Sequence, residues 1–152
     1  MVVGFYPPAR TKIPRKVTSS VKFKVPFGDV DMMGHVNNVR YLGYFENART
    51  EHLYSLVGEW RKGNLGFILA HAEIDFKSPA AYRDELEVTI RITSVGNTSW
   101  VYEYLVLNVQ DKRTHATGKT VQVFYDYEQK KSMPIPQELR EKLLRDMASS
   151  KV

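Results

Sequence analysis

Three observations predict an α+β domain built on an antiparallel sheet with one long helix packed against it. Apolar residues recur at helical spacing from Val39 to about Val57. One short alternating run precedes that stretch. Four more alternating runs follow it at the intervals of successive hairpins.

The chain of 152 residues suits one domain and one core. Its 43% hydrophobic and 26% charged content is ordinary for a globular protein. No run approaches the roughly 20 apolar residues of a membrane span. The N-terminus, MVVGFYPPARTKIPRK, lacks the apolar region of a secretory signal. The absence of cysteine removes disulfides, thiolate zinc sites and a cysteine nucleophile together, and a cytoplasmic location is expected.

Residues 1–18 carry three of the seven prolines and little periodicity, so they read as an irregular arm ahead of a domain at 19–152. Residues 1–40 hold seven basic and two acidic groups, the whole of the net +5; the rest of the chain is balanced. A nucleic acid, a membrane surface or a phosphorylated ligand could use such an arm. A solvated tail is the plainer reading. No nucleic-acid-binding motif accompanies the charge, so neither a nucleic-acid nor a membrane partner is expected.

Next comes SVKFKVPF, with Val21, Phe23 and Val25 on one side and Lys22 and Lys24 on the other, a strand facing a core on one face. Asn37 or Asn38 is a natural cap for the helix that follows. Its stripe is Tyr41, Phe45, Ala48 and His52, widened by Leu42, Leu53 and Leu56. Nineteen residues give a helix of roughly 28 Å. Arg49 falls inside the stripe and Glu46 at its edge; the i, i+3 spacing lets them pair, and a partly buried Arg needs such a partner. A catalytic Glu46 is the second reading of that pair.

Ile68, Ala70, Ala72, Ile74 and Phe76 then share one face of a strand that ends at Lys77-Ser78-Pro79. Leu86, Val88, Ile90 and Ile92 alternate with Glu85, Glu87, Thr89 and Arg91, and Val95–Thr98 reads as a hairpin turn. Trp100–Val109 and Thr120–Tyr127 are two further strands, turned at Lys112–Thr114. Pro134 and Pro136 precede a short helix from Gln137 to about Met147. One helix cannot cover both faces of a five-stranded sheet, so a partner subunit is expected to cover part of it.

The stretch FGDVDMMGHVNN, Phe27–Asn38, concentrates polar chemistry ahead of the long helix. As a calcium loop counted from Asp29 it lacks the needed ligands, because Met33 stands at position 5 and Arg40 at position 12. A nucleotide-sugar D-x-D site would need a larger α/β framework. There is no G-x-S-x-G elbow, P-loop, G-x-G-x-x-G or H-E-x-x-H. His35, His52, His71 and His115 are too far apart for a standard paired-ligand spacing, and His52 reads as a core histidine.

A carboxylate loop delivered to a helix N-terminus remains. The first turn presents unpaired N–H groups and the positive end of the macrodipole, which can hold a carbonyl oxygen as it gains charge. An Asp just upstream could attack that carbonyl or deprotonate a water. A carboxylate is a weak base and a weak nucleophile, so an activated acyl group such as a thioester suits it. Plain helix capping stays open as the alternative.

The run D-x-D-x-x-G-H-V-N-N, followed by Tyr41-Leu42 and Glu46-Asn47-Ala48-Arg49, strongly resembles the hot-dog-fold acyl-CoA thioesterases of the 4-hydroxybenzoyl-CoA thioesterase-like group. Residues Ala72–Leu86, with Pro79-Ala80 and Asp84-Glu85-Leu86, are similar to that family's strand, Pro-Ala and Asp-x-Leu passage. The likeness spans roughly residues 19–148. It implies a five-stranded antiparallel sheet wrapped around a long central helix, with a short C-terminal helix. It implies hydrolysis of an acyl-CoA to a free acid and CoA, with coenzyme A as part of the substrate and no metal or other cofactor. It places the working site in a homodimer or homotetramer. Asp31 matches the catalytic Asp, as nucleophile or general base, and Asn38 the main-chain N–H on the thioester oxygen. His35, Asn37 and Tyr41 are candidate substrate-binding residues, and Lys77 and Arg83 candidate contacts of the coenzyme A phosphates. An acyl carrier protein as the thiol carrier, or a non-catalytic acyl-CoA-binding module, are the alternatives.

Overall fold

The computed structural model describes residues 17–58 and 66–150. Most of the basic arm, residues 1–16, lies outside them. Alternation in Ser19–Lys24 forms β1, which pairs antiparallel with β3 so that Val21 meets Val88 and Phe23 meets Leu86. A single 3₁₀ turn at Phe27–Asp29 leads into the polar loop, and α1 runs from Arg40 to Val57. The remaining elements are β2 (Phe67–Phe76), β3 (Glu85–Val95), β4 (Ser99–Asn108), β5 (Thr114–Asp126), β6 (Lys131–Ser132) and α2 (Gln137–Ser149). The order across the sheet is β1-β3-β4-β5-β2, antiparallel throughout, and the short β6 pairs with the end of β5.

One face of the sheet receives both helices. Leu86, Val88, Ile90 and Ile92 of β3, and Trp100, Tyr102, Tyr104 and Val106 of β4, are fully or almost fully buried there. From α1, Tyr41, Tyr44, Phe45, Ala48 and Leu53 close the layer. Phe45 stacks on Tyr104 with ring centroids 4.2 Å apart. That stack fixes Gly118 on β5, where an added Cβ would stand 2.2 Å from the Phe45 ring and 2.9 Å from the Glu73 carbonyl oxygen. At the far end of α1, α2 buries Leu139 and Leu143. Lys142 Nζ donates to Leu56 O (2.9 Å), and Arg140 Nε to Gly96 O (3.1 Å).

The opposite face carries a row of alternating charge. The registers place Glu73 beside Lys119, Lys119 beside Glu103 and Glu103 beside Arg91, across β2, β5, β4 and β3. The Arg91 guanidinium and the Glu103 carboxylate form an ion pair.

Several expectations change. The hydrogen bonds of α1 begin at Arg40, one residue later than the apolar pattern suggested. The alternation of β2 breaks at a bulge between Leu69 and His71. Ala72, Ile74 and Phe76 therefore face the helix, but Ile68 pairs with Val123 and points the other way. β5 starts at Thr114, six residues earlier than its apolar stretch. Arg49 is buried (6% exposed), as its place in the stripe suggested, but it does not pair with Glu46. Glu46 stays at the exposed edge of α1, and Arg49 Nη1 donates to Tyr104 Oη at 3.3 Å instead. Among the described residues no carboxylate reaches that guanidinium within ion-pair distance and no helix is long and apolar enough to cross a membrane.

Candidate active site

The polar loop is held by its own backbone before any side chain acts. Asp31 N–H donates to His35 O (2.9 Å), and Gly34 N–H donates to Asp31 O (3.0 Å). That turn requires the positive φ of +79° that Gly34 supplies. One carboxylate oxygen of Asp31, Oδ1, accepts the Met33 N–H at 2.8 Å. The loop is tied to the strand-connecting segment by Val36 N–H to Ala80 O (2.8 Å) and by a bridge between His35 and Ala81. Asp84 closes that segment by accepting the Ala81 N–H at 2.8 Å. The Pro-Ala-x-x-x-Asp passage is thus a clamp on the loop.

The two loop aspartates have different surroundings. Asp29 Oδ2 accepts the Tyr44 hydroxyl at 2.6 Å, and its Oδ1 lies 3.4 Å from Arg40 Nε. Burial and the Asp29 charge together push the Tyr44 phenol well above its ordinary range. Asp29 therefore fastens the loop to α1, whereas Asp31 is exposed.

The two asparagines also divide. Asn37 Oδ1 accepts the Val39 N–H (3.1 Å) and Asn37 O accepts the Arg40 N–H (2.9 Å), so Asn37 caps the approach to the helix. Asn38 O accepts the Tyr41 N–H. No acceptor for the Asn38 N–H occurs among the described residues.

A cavity of about 390 Å³ opens at this point, lined by Asp31, His35, Asn38, Tyr41, Phe76 and Ser78, with Lys77 at its side. Tyr41 and Phe76 meet edge to face, centroids 5.3 Å apart, and form an aromatic wall. Burial is the main cause that raises the Tyr41 phenol to about 12; the Ala80 amide opposes it and the Asp84 charge adds to it. The phenol stays neutral near pH 7. The structure therefore gathers Asp31, Asn38, His35 and Tyr41 around one space. Asn37 is not part of that lining, because its amide is turned to the backbone. Lys77 reaches the cavity, while Arg83 lies over the Tyr82 ring, 5.7 Å from its centroid.

Sequence reasoning missed Ser78 and His115. Ser78 Oγ lies 2.8 Å from Thr114 O and 3.1 Å from His115 Nδ1. His115 sits at the register shift where β5 passes from Leu107 to Val106 of β4, and it is 1% exposed. Nothing in the spacing of 31, 78 and 115 joins them; the sheet does so by pairing β2 with β5. A second cavity, about 290 Å³, lies on the charged face near Lys119 and shares no lining with the first.

This geometry can hold a carbonyl between a carboxylate and the amide at the start of a helix. The profile of the thioesterase-like superfamily matches residues 25–143. Long-chain acyl-CoA thioesterase FadM of Escherichia coli K12 is 27% identical over 124 residues, which cover 80% of this chain and 94% of that protein. A thioesterase from Thermus thermophilus, solved with coenzyme A and zinc, superposes with a TM-score of 0.77 at 29% identity, over 87% of this chain and 96% of its own. A 1,4-dihydroxy-2-naphthoyl-CoA thioesterase from Synechocystis shares the fold at a TM-score of 0.77 and 24% identity, over 86% of this chain and 97% of its own. Fold and site together define a thioesterase-like domain. The chain belongs to the thioesterase-like superfamily.

Proposed function

We propose that the protein hydrolyses acyl-CoA thioesters, with Asp31 as general base or nucleophile and the Asn38 N–H as the donor that receives the oxyanion. One observation carries this reading: the Asp31 carboxylate and an amide with no acceptor among the described residues, at the entry to α1, line the same cavity. Asp31 Oδ1 is held by the Met33 amide, which fixes the carboxylate and leaves Oδ2 for a proton. The helix dipole adds to the pull on a carbonyl oxygen placed at Asn38. His35 and Tyr41 line the acyl side of the cavity, and Lys77 supplies a cation for the phosphates of coenzyme A. Neither a metal nor a redox group enters this scheme, and a cytoplasmic setting suits a cysteine-free chain acting on coenzyme A esters.

The working unit in this reading is a homodimer or homotetramer. Its support is β2, the edge strand of the sheet, which leaves Leu69 (44% exposed) and Phe76 (43%) partly uncovered; Phe76 also lines the cavity.

The test is release of free thiol from acyl-CoAs of graded chain length and from aromatic acyl-CoAs. Asp31→Asn is expected to lower kcat about 10²- to 10⁴-fold while acyl-CoA still binds. Full turnover by that variant would remove Asp31 from the chemistry. Binding of acyl-CoA without any thiol release by the wild-type chain would make the protein a binding module.

A further inference from the structure

His115 is buried to 1% exposure, and its Nε2 has no hydrogen-bond partner among the described residues. Its other nitrogen, Nδ1, lies 3.1 Å from Ser78 Oγ and 3.2 Å from Ser78 O. Ser78 Oγ also lies 2.8 Å from Thr114 O, which can only accept. These contacts favour one arrangement of protons. The Ser78 hydroxyl proton goes to Thr114 O. The ring proton sits on Nδ1 and is shared between Ser78 O and Oγ. The opposite tautomer would bury an Nε2–H with no acceptor and turn the Nδ1 lone pair toward the lone pairs of Ser78 O. Burial also lowers the pKa of His115, which keeps the ring neutral near pH 7.

A serine oxygen has one proton to give and two lone pairs to offer. In this arrangement Oγ has given its proton to Thr114 and received one hydrogen bond from His115. One lone pair is left, and Ser78 lines the cavity that Asp31 and Asn38 also line. We propose that Ser78 is the second acceptor for the attacking water, with His115 a positioning residue that holds the serine oxygen in its accepting state. This rests on the thioesterase reading and takes Asp31 as its general base. The water oxygen bonds to the acyl carbon as one water proton passes to Asp31. The C–S bond then breaks with its electron pair on sulfur, and the coenzyme A thiolate takes the proton from Asp31. The second water hydrogen, directed at Ser78, stays on the product acid until it is lost to solvent. A water that donates to two acceptors has its lone pairs turned toward the thioester, which a single carboxylate cannot ensure.

The test measures kcat and KM of the full chain with an acyl-CoA that the wild type hydrolyses, for Ser78→Ala, Ser78→Thr, His115→Asn and His115→Leu, with thermal unfolding as the check on folding. Ser78→Ala is expected to lower kcat about 10- to 100-fold with KM changed by no more than about threefold, the worth of one hydrogen bond to a polarised group. Ser78→Thr keeps the hydroxyl and is expected to restore most of that loss. His115→Asn keeps an N–H near the Nδ1 position and is expected to retain more kcat than His115→Leu. If the His115 variants do not fold, the Ser78 pair decides alone. Unchanged kcat in Ser78→Ala, a loss confined to KM, or Ser78→Thr no better than Ser78→Ala overturns the proposal while the thioesterase reading stands. A wild type that releases thiol from no acyl-CoA overturns both.

Discussion

Single atoms decide much of this site. Asp29 and Asp31 have the same side chain two positions apart, yet one is consumed by Tyr44 and Arg40 and the other, held by the Met33 amide, lines the cavity. Helical spacing explains the first after the fact, because Tyr44 follows Arg40 by one turn on α1. No local pattern gave it in advance, and the preference for Asp31 came from the family resemblance. Gly118 is a second case. It reads as one glycine in a strand, but it is the floor on which Phe45 rests. Gly118→Ala is expected to cost about 1–3 kcal/mol in urea unfolding, because the Phe45 ring and the Glu73 carbonyl leave no room for a methyl group. A variant as stable as the wild type would mean that α1 can lift off the sheet at no cost.

Between elements, buried polar groups couple the helices to the sheet. His52, 2% exposed, has Nδ1 at 2.7 Å from Tyr102 Oη and Nε2 at 2.9 Å from Asp146 Oδ2, so it joins α1 to β4 and α2. Its pKa is lowered from 6.5: burial outweighs the opposing pull of Asp146. His115 is lowered too, again by burial first. The unfolded chain then takes up protons that the folded chain refuses. Stability is complete above about pH 6.5 and falls as pH drops through it, by at most about 1.4 kcal/mol per pH unit for each histidine. Urea unfolding at pH 7.5 and 5.5 measures this, and His52→Gln is expected to flatten the difference. Stability that rises on acidification would reverse the sign. The element pattern itself was largely legible, since periods of 3.6 and 2 mark which side chains meet a core. The β2 bulge was not, because Ile68 and Ala70 continue the alternation by composition alone. The partner of Arg49 was not legible either: an i, i+3 carboxylate is visible in sequence, and a tyrosine 55 residues away on β4 is not.

For the whole molecule, the class and order of elements followed from the sequence, and the cavity did not. The cavity needs the loop, the start of α1 and the turn after β2 at one place, and only the sheet order β1-β3-β4-β5-β2 brings them together. The edge position of β2 is the feature to test at this scale. Sedimentation velocity at micromolar concentration is expected to give two or four times the 17.6 kDa of the chain. A single species at 17.6 kDa that still hydrolyses acyl-CoA would show that one chain suffices.

The charge row across β2, β5, β4 and β3 bears on how the chain finds this fold. Apolar alternation has a period of two, so a strand displaced by two residues still buries every apolar side chain it should. Such a slip is invisible to the hydrophobic effect. It is not invisible to Lys119, which would leave Glu103 of β4 and land beside Val101 or Leu105. The row therefore acts as a vernier on the sheet, distinguishing the native alignment from near-copies that bury the same oil.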